Sequence, residues 1–110
     1  MKAIRIHNYG SFEELVCDEV PIPEINDDQV LIKVYATSVN HLEIKKASGA
    51  MKAMMPLELP WIPGFDFAGM VEKVGRNVSA FMKGDKVYGN CNGGSYAEYL
   101  AADIDKLVHI

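Results

Sequence analysis

The chain is short of cysteine: it has two, Cys17 and Cys91, far apart in a sequence of 110 residues. That argues against a disulfide scaffold and against any Cys-x-x-Cys metal site, and in a reducing compartment both stand as free thiols. No apolar run approaches the ~20 residues that a membrane-crossing helix needs. There is no cluster of Lys and Arg, and the net charge is −4, so a nucleic-acid partner is not expected. The opening Met1-Lys2-Ala3-Ile4-Arg5-Ile6-His7 lacks the apolar region and cleavage site of a secretory leader, and the expected compartment is the cytoplasm. No Gly-x-Gly-x-x-Gly lies between a strand and a helix; the one Gly-Gly pair, Gly93-Gly94, falls in a turn. No P-loop and no Ser/His/Asp set can be assembled, and His7, His41 and His109 are isolated from one another and from the cysteines.

What is present reads as one small, mainly β domain over residues 1–110, long enough to bury a core. Lys2 to Asn8 alternates with Ile4 and Ile6 on one side, and Phe12 to Val20 continues extended. Pro21 to Asp28 interrupts regular structure. Gln29 to Val39 is the strongest strand, apolar at nearly every position but Lys33, which predicts burial on both faces. Asn40 then predicts an N-cap, with Glu43 three residues on in the capping-box position, a helix over His41–Ala47, and Gly49 as its stop. Met51 to Pro60, with Met54 and Met55, reads as an apolar loop leading through Trp61 to Pro63. Strands are expected over Asp85–Asn90, Ser95–Ala101 and from Lys106, with Phe81-Met82 as an apolar plug between Asn77 and Gly84. Many short strands and one or two short helices predict a twisted, partly open β-barrel.

The organising stretch is Pro63-Gly64-Phe65-Asp66-Phe67-Ala68-Gly69-Met70-Val71-Glu72-Lys73-Val74-Gly75. It is one long strand between two turns, with a Gly whose place inside a strand marks a bulge or the close approach of another backbone. Its acid, Asp66, stands between two phenyl rings and must be at the surface or partnered. The stretch resembles the Pro-Gly-His-Glu-x-x-Gly-x-Val-x-x-Val-Gly signature of the medium-chain dehydrogenase/reductase superfamily, with Phe65 in the place of the His and Asp66 in that of the Glu. Asp28-Gln29-Val30-Leu31-Ile32-Lys33-Val34, Gly84-Asp85-Lys86-Val87-Tyr88-Gly89 and Gly94-Ser95-Tyr96-Ala97-Glu98-Tyr99 resemble three further family motifs, in the family's order.

The resemblance implies the GroES-like catalytic domain of a two-domain enzyme. Phenylalanine cannot ligate a metal, and the ligand Cys of the zinc alcohol dehydrogenases is Asn40 here, with Leu42 at their relay hydroxyl. Ser38-Val39-Asn40 with Glu43 is similar instead to the zinc-free quinone and enone reductases, some of which carry a Lys at the position of Lys45. On this likeness, catalytic roles are expected for Asn40, Glu43 and Lys45, with Asn40 and Lys45 also touching NADPH. An amide can donate to and accept from a ribose or substrate oxygen, and an ammonium can meet a phosphate or a developing oxyanion.

Phe65, Met54 and Trp61 are expected to line an apolar substrate site for a quinone or an α,β-unsaturated carbonyl. The structural alternatives stay open: Asn40 serves as an N-cap in any case, and Lys45 with Lys46 can be a solvated helix face. The resemblance implies NADPH without zinc, a homodimer as one form of the full-length protein, and a nucleotide-binding domain outside this chain, which by itself is expected to bind NADPH weakly or not at all. The competing reading is a stand-alone GroES-like binding or assembly module, with the stretch from Glu14 to Val20 and the methionine loop as contacts.

Overall fold

The computed structural model describes residues 1–10, 15–54 and 56–110. Among these residues, seven strands and one α-helix follow in the order β1 (Lys2–Arg5), β2 (Val16–Glu19), β3 (Gln29–Thr37), α1 (His41–Ser48), β4 (Asp66–Val74), β5 (Lys86–Asn90), β6 (Tyr99–Asp103) and β7 (Leu107–His109), with a 3-10 turn at Ile104–Lys106. β1 and β2 pair with each other, and the other five form an antiparallel sheet in the order β6-β3-β4-β5-β7. The sheets stay open and are not closed into a barrel, as the expected partly open form allows. The expected extended run from Phe12 is described only from Leu15, and Met55 and Glu14 also lie outside the described residues.

β3 and β4 are central because their β-branched and aromatic residues meet across the sheet, with Val30 opposite Val74 and Ile32 opposite Val71. The main core gathers Val30, Ile32, Phe67, Val71, Phe81, Val87, Leu100, Ala102 and Leu107. Each such large side chain withdrawn from water contributes about 1.5–3 kcal/mol. Gly69 lies opposite Val34 beside a shift in register, and a Cβ there would run into the Lys33 carbonyl. Both meanings of a strand glycine, irregular pairing and close approach, hold at this one position.

Three expectations need correction. β3 is buried on both faces only in its first half, at Val30, Leu31 and Ile32; Tyr35 is 61% exposed and Val39, past the end of the strand at Thr37, 63%, because among the described residues no strand pairs with β3 beyond Lys33 on the β6 side. That open stretch borders an apolar groove of about 510 Å³ shared with Ala3, Ile4 and Ala97. The Ser95–Ala101 strand begins only at Tyr99; Gly93 and Gly94 take positive φ, and the chain from Ser95 to Glu98 is held by single bonds such as Tyr96 N–H to the Pro63 carbonyl (3.1 Å). Phe81 plugs the core as expected, but Met82 faces solvent.

A second, smaller core of Ile6, Ala47 and Trp61, with Leu15, Leu57 and Phe65 against it, seats α1. Trp61 and Ile6 exchange main-chain hydrogen bonds of 2.9 Å in each direction, so the methionine loop returns to β1 before entering β4. The result places the start of α1, the Pro63–Asp66 turn and the Cys91–Tyr96 loop side by side.

Candidate functional site

The helix start builds the site. Asn40 has extended backbone and caps α1, and Glu43 is the third helical residue. The Glu43 amide reaches the Asn40 carbonyl at 3.2 Å, and the Asn40 N–H donates to Glu43 Oε2 at 3.4 Å. α1 turns Glu43 inward with Lys46 and Ala47, and Glu43 is fully buried. A buried carboxylate needs donors. Glu43 has four: the Asn40 N–H and Nδ2 (both 3.4 Å), the Phe65 N–H (3.0 Å) and the Tyr96 hydroxyl (2.5 Å). It ties α1 to the turn before β4 and to the loop before β6.

Beside the Asn40 and Phe65 that Glu43 holds lies a cavity of about 450 Å³, lined by Asn40, Leu42, Lys46, Phe65, Asp66, Asn90, Cys91 and Asn92. Asn40 Nδ2 donates to Asp66 Oδ2 at 3.0 Å, and Ser38 Oγ donates to the same oxygen at 3.1 Å. Asp66 is thus exposed and partnered at once, and its carboxylate fixes the Asn40 amide from the outside while Glu43 holds it from within. The Tyr96 hydroxyl also lies 3.2 Å from the Ser38 carbonyl, but its one proton goes to the nearer, charged Glu43. Burial, and then the hydrogen bond to the Glu43 carboxylate, push the Tyr96 phenol well above its usual range. The Cys91 thiol donates to the Gly64 carbonyl at 3.2 Å, and burial pushes its pKa up, so it is a protonated structural thiol and not a nucleophile.

Gly64 is the tightest point. Its φ is +107°, and a Cβ there would meet Ser95 and the Tyr96 amide. Only glycine lets the turn before β4 lie against the loop carrying Tyr96.

The expected residues part company here. Asn40 and Phe65 line the cavity, and Glu43 is buried behind them, bonded to both. Trp61 stands behind Phe65, with ring centres 6.2 Å apart, and lines a neighbouring cavity of about 430 Å³ with Lys46, Pro56, Leu57, Glu58 and Asn92. Lys45 is exposed, one turn along α1 from Leu42, and lines neither cavity. Met54 is 84% exposed and also lines neither. Lys46, read as part of a solvated face, is buried instead. Tyr96 and Ser38 were not singled out as site residues; no spacing along the chain links Tyr96 to Glu43. Lys46 carried a usable signal, since a helix that turns residue 43 inward turns residues 46 and 47 inward with it.

Among the described residues no group of three or more His, Cys, Asp or Glu is gathered as a metal-ligand set, and no helix is long and apolar enough to cross a membrane. Residues 26–110 match the family described as the alcohol dehydrogenase GroES-like domain. Human quinone oxidoreductase is 46% identical over 106 residues, covering 94% of this chain and 32% of its own. The 2-methylene-furan-3-one reductase of Solanum lycopersicum is 41% identical over 118 residues, covering 98% of this chain and 30% of its own. The crystal structure of Escherichia coli quinone oxidoreductase complexed with NADPH superposes with a TM-score of 0.91 at 25% identity, over 100% of this chain and 33% of that one. The chain thus spans about a third of the length of the relatives it matches.

Proposed function

Because this chain belongs to the alcohol dehydrogenase GroES-like domain family, on the quinone oxidoreductase-like branch of the medium-chain dehydrogenases and reductases, we propose that it is the catalytic portion of a longer NADPH-dependent, zinc-independent reductase of quinones or α,β-unsaturated carbonyls. The observation that carries the reading is the doubly held Asn40 amide at the cavity, fixed by Glu43 on one side and Asp66 on the other. A group fixed this way needs no reorganisation when charge develops near it. The donor set supports the zinc-free part: Phe65 has no ligand atom, Asn40 offers a neutral amide, and the Cys91 thiol is committed to the Gly64 carbonyl.

A cavity of about 450 Å³ has room for a ring-sized substrate beside a nicotinamide but not for a whole dinucleotide. The residues here fit the reactive end of NADPH alone. Asn40 would meet the nicotinamide ribose, and the exposed Lys45 ammonium is free to reach a ribose hydroxyl or phosphate. When bound, NADPH supplies a hydride, which with one proton from water reduces the conjugated system by two electrons. Glu43 stays buried and orients Asn40 and the Phe65 backbone, and the Phe65 ring offers a flat apolar wall. Two reduced thiols fit the expected cytoplasmic setting. A homodimer of the longer protein is the assembly we propose, to be checked by light scattering.

The test begins with the mass of the native product in its source cells. A product of roughly three times this chain's mass fits the two-domain reading; a product of this chain's mass alone turns the reading to a binding or assembly module. NADPH oxidation by the full-length protein is then followed with quinones and enones. Saturable turnover is expected, with Asn40→Ala lowering kcat/KM about tenfold. A full-length protein that neither binds NADPH saturably nor oxidises it sinks the proposal.

A further inference from the structure

Asn92 lines both cavities, the one at Asn40 and the one at Trp61, and it has no part in the chemistry above. It is exposed, and the described side-chain hydrogen bonds of the site run through Ser38, Asn40, Glu43, Cys91 and Tyr96 and bypass it. The residue after it is Gly93, so no side chain shields the next main-chain nitrogen. Among the described residues the Gly93 N–H makes no main-chain bond, whereas the Cys91 N–H donates to the Phe65 carbonyl at 2.7 Å and the Gly94 N–H to the Pro63 carbonyl at 3.3 Å. The Gly93 N–H faces the Cys91 sulfur, a weak acceptor. Packing fixes the glycine: its φ is +113°, and a Cβ would lie 2.5 Å from Trp61 Nε1, on a ring held in the second core. The Asn-Gly pair therefore comes with the fold.

We propose that Asn92-Gly93 is a site of spontaneous deamidation, at which the protein ages beside its own cavities. Asparagine is chemically labile. The Gly93 main-chain nitrogen loses its proton and attacks Asn92 Cγ. The N–Cγ bond forms as the Cγ–Nδ2 bond breaks, and the side-chain nitrogen leaves as ammonia, taking up that proton. Water then opens the cyclic imide at either carbonyl and leaves aspartate or isoaspartate. No oxidant and no enzyme is required. Both products put a carboxylate where a neutral amide lined the two cavities, on the wall that Lys46 shares. Isoaspartate also runs the main chain through Cβ. That adds a carbon to the loop that Gly94 and Tyr96 fasten to the Pro63 carbonyl, and slackens the hold on Tyr96 at Glu43. The site stands whatever reaction the longer protein catalyses.

The test incubates the full-length protein at about pH 8 and 37 °C, samples it over days, and maps its tryptic peptides by mass spectrometry. Asn90 and Asn92 fall in one peptide, from Val87 to Lys106, so fragmentation compares them directly. Asn90 is the internal control, because the nitrogen after it belongs to Cys91 and is tied to the Phe65 carbonyl. A product about one dalton heavier at Asn92 is expected to grow with time, resolved by chromatography into two isomers. It should form on the order of tenfold faster than at Asn90. Its rate should rise with pH, since the attacking nitrogen must first lose a proton. The same peptide, excised and incubated alongside, gives the rate that the local sequence alone allows. An Asn92 that stays intact in the folded protein while the excised peptide changes overturns the assignment. So does a rate at Asn92 no faster than at Asn90. Every outcome is read on the unmutated protein, so none depends on a variant that folds.

Discussion

Tyr96 donates its hydroxyl to the buried Glu43 carboxylate at 2.5 Å, across 53 residues of sequence. This bond joins the loop before β6 to the start of α1, and removing either end leaves the other one partner short. Tyr96→Phe takes away the shortest of Glu43's four donors, and is expected to cost about 1–3 kcal/mol in chemical denaturation. Glu43→Gln turns an amide N–H₂ toward groups that themselves donate, and should cost at least as much. The double variant should fall short of the sum by a coupling of roughly 0.5–3 kcal/mol. Additive losses would show that the two side chains do not share an energetic contact.

The same bond sets an alkaline limit. The Tyr96 phenol is raised above its ordinary 10.0 by burial and by the Glu43 carboxylate. The unfolded chain therefore gives up this proton at a lower pH than the folded one. The stability linked to Tyr96 is whole below pH 10.0 and is lost as the pH rises above it toward the folded-state value. Ultraviolet titration should show one tyrosine ionising after the others, and only together with unfolding; Tyr96→Phe should remove that last step.

The two thiols should separate by rate. Cys17 is exposed on β2, whereas Cys91 is half-buried, bonded to the Gly64 carbonyl and held protonated by burial. Only the thiolate reacts. A thiol reagent at pH 8 should modify Cys17 rapidly and Cys91 slowly, as mass spectrometry of the peptides will show. Equal rates would mean that the Gly64 turn opens easily.

Gly69→Ala should be destabilising out of proportion to one methyl group. The new Cβ would meet the Lys33 carbonyl on the neighbouring strand, where no flexible side chain can yield. Overpacking of this kind costs about 1–3 kcal/mol. A loss under 0.5 kcal/mol, at the level of ordinary surface changes, would show that β3 and β4 can part at this point.

Much of the architecture was legible because local chemistry and tertiary packing agree. Asn40, Glu43 and Gly49 marked the ends of α1, the Pro63–Gly75 pattern marked β4, and Phe81 marked the core plug. Apolar letters alone misread the second half of β3 and the residues just past it, since whether Tyr35 and Val39 are covered depends on which strand lies alongside, not on their own preference. Near the cavity, capping spacing anticipated the contact between Asn40 and Glu43. It could not tell which of Lys45 and Lys46 is buried, since they differ by one helical step of about 100°; Trp61 and Phe65 packing under Ala47 decides that. Tyr96 was hidden because its role arises only when the Gly64 turn brings two distant loops together.

Glu43 is at once part of a helix cap, a support for the β4 turn and the anchor of Asn40. A lineage that altered it to suit a new substrate would lose the local fold in the same step, so variation has to enter elsewhere. Leu42 and Asn92 face the cavity from the helix and from the following loop, and no described side-chain hydrogen bond depends on either. Those two positions are where this scaffold can be retuned, by nature or by a protein engineer, without first being rebuilt.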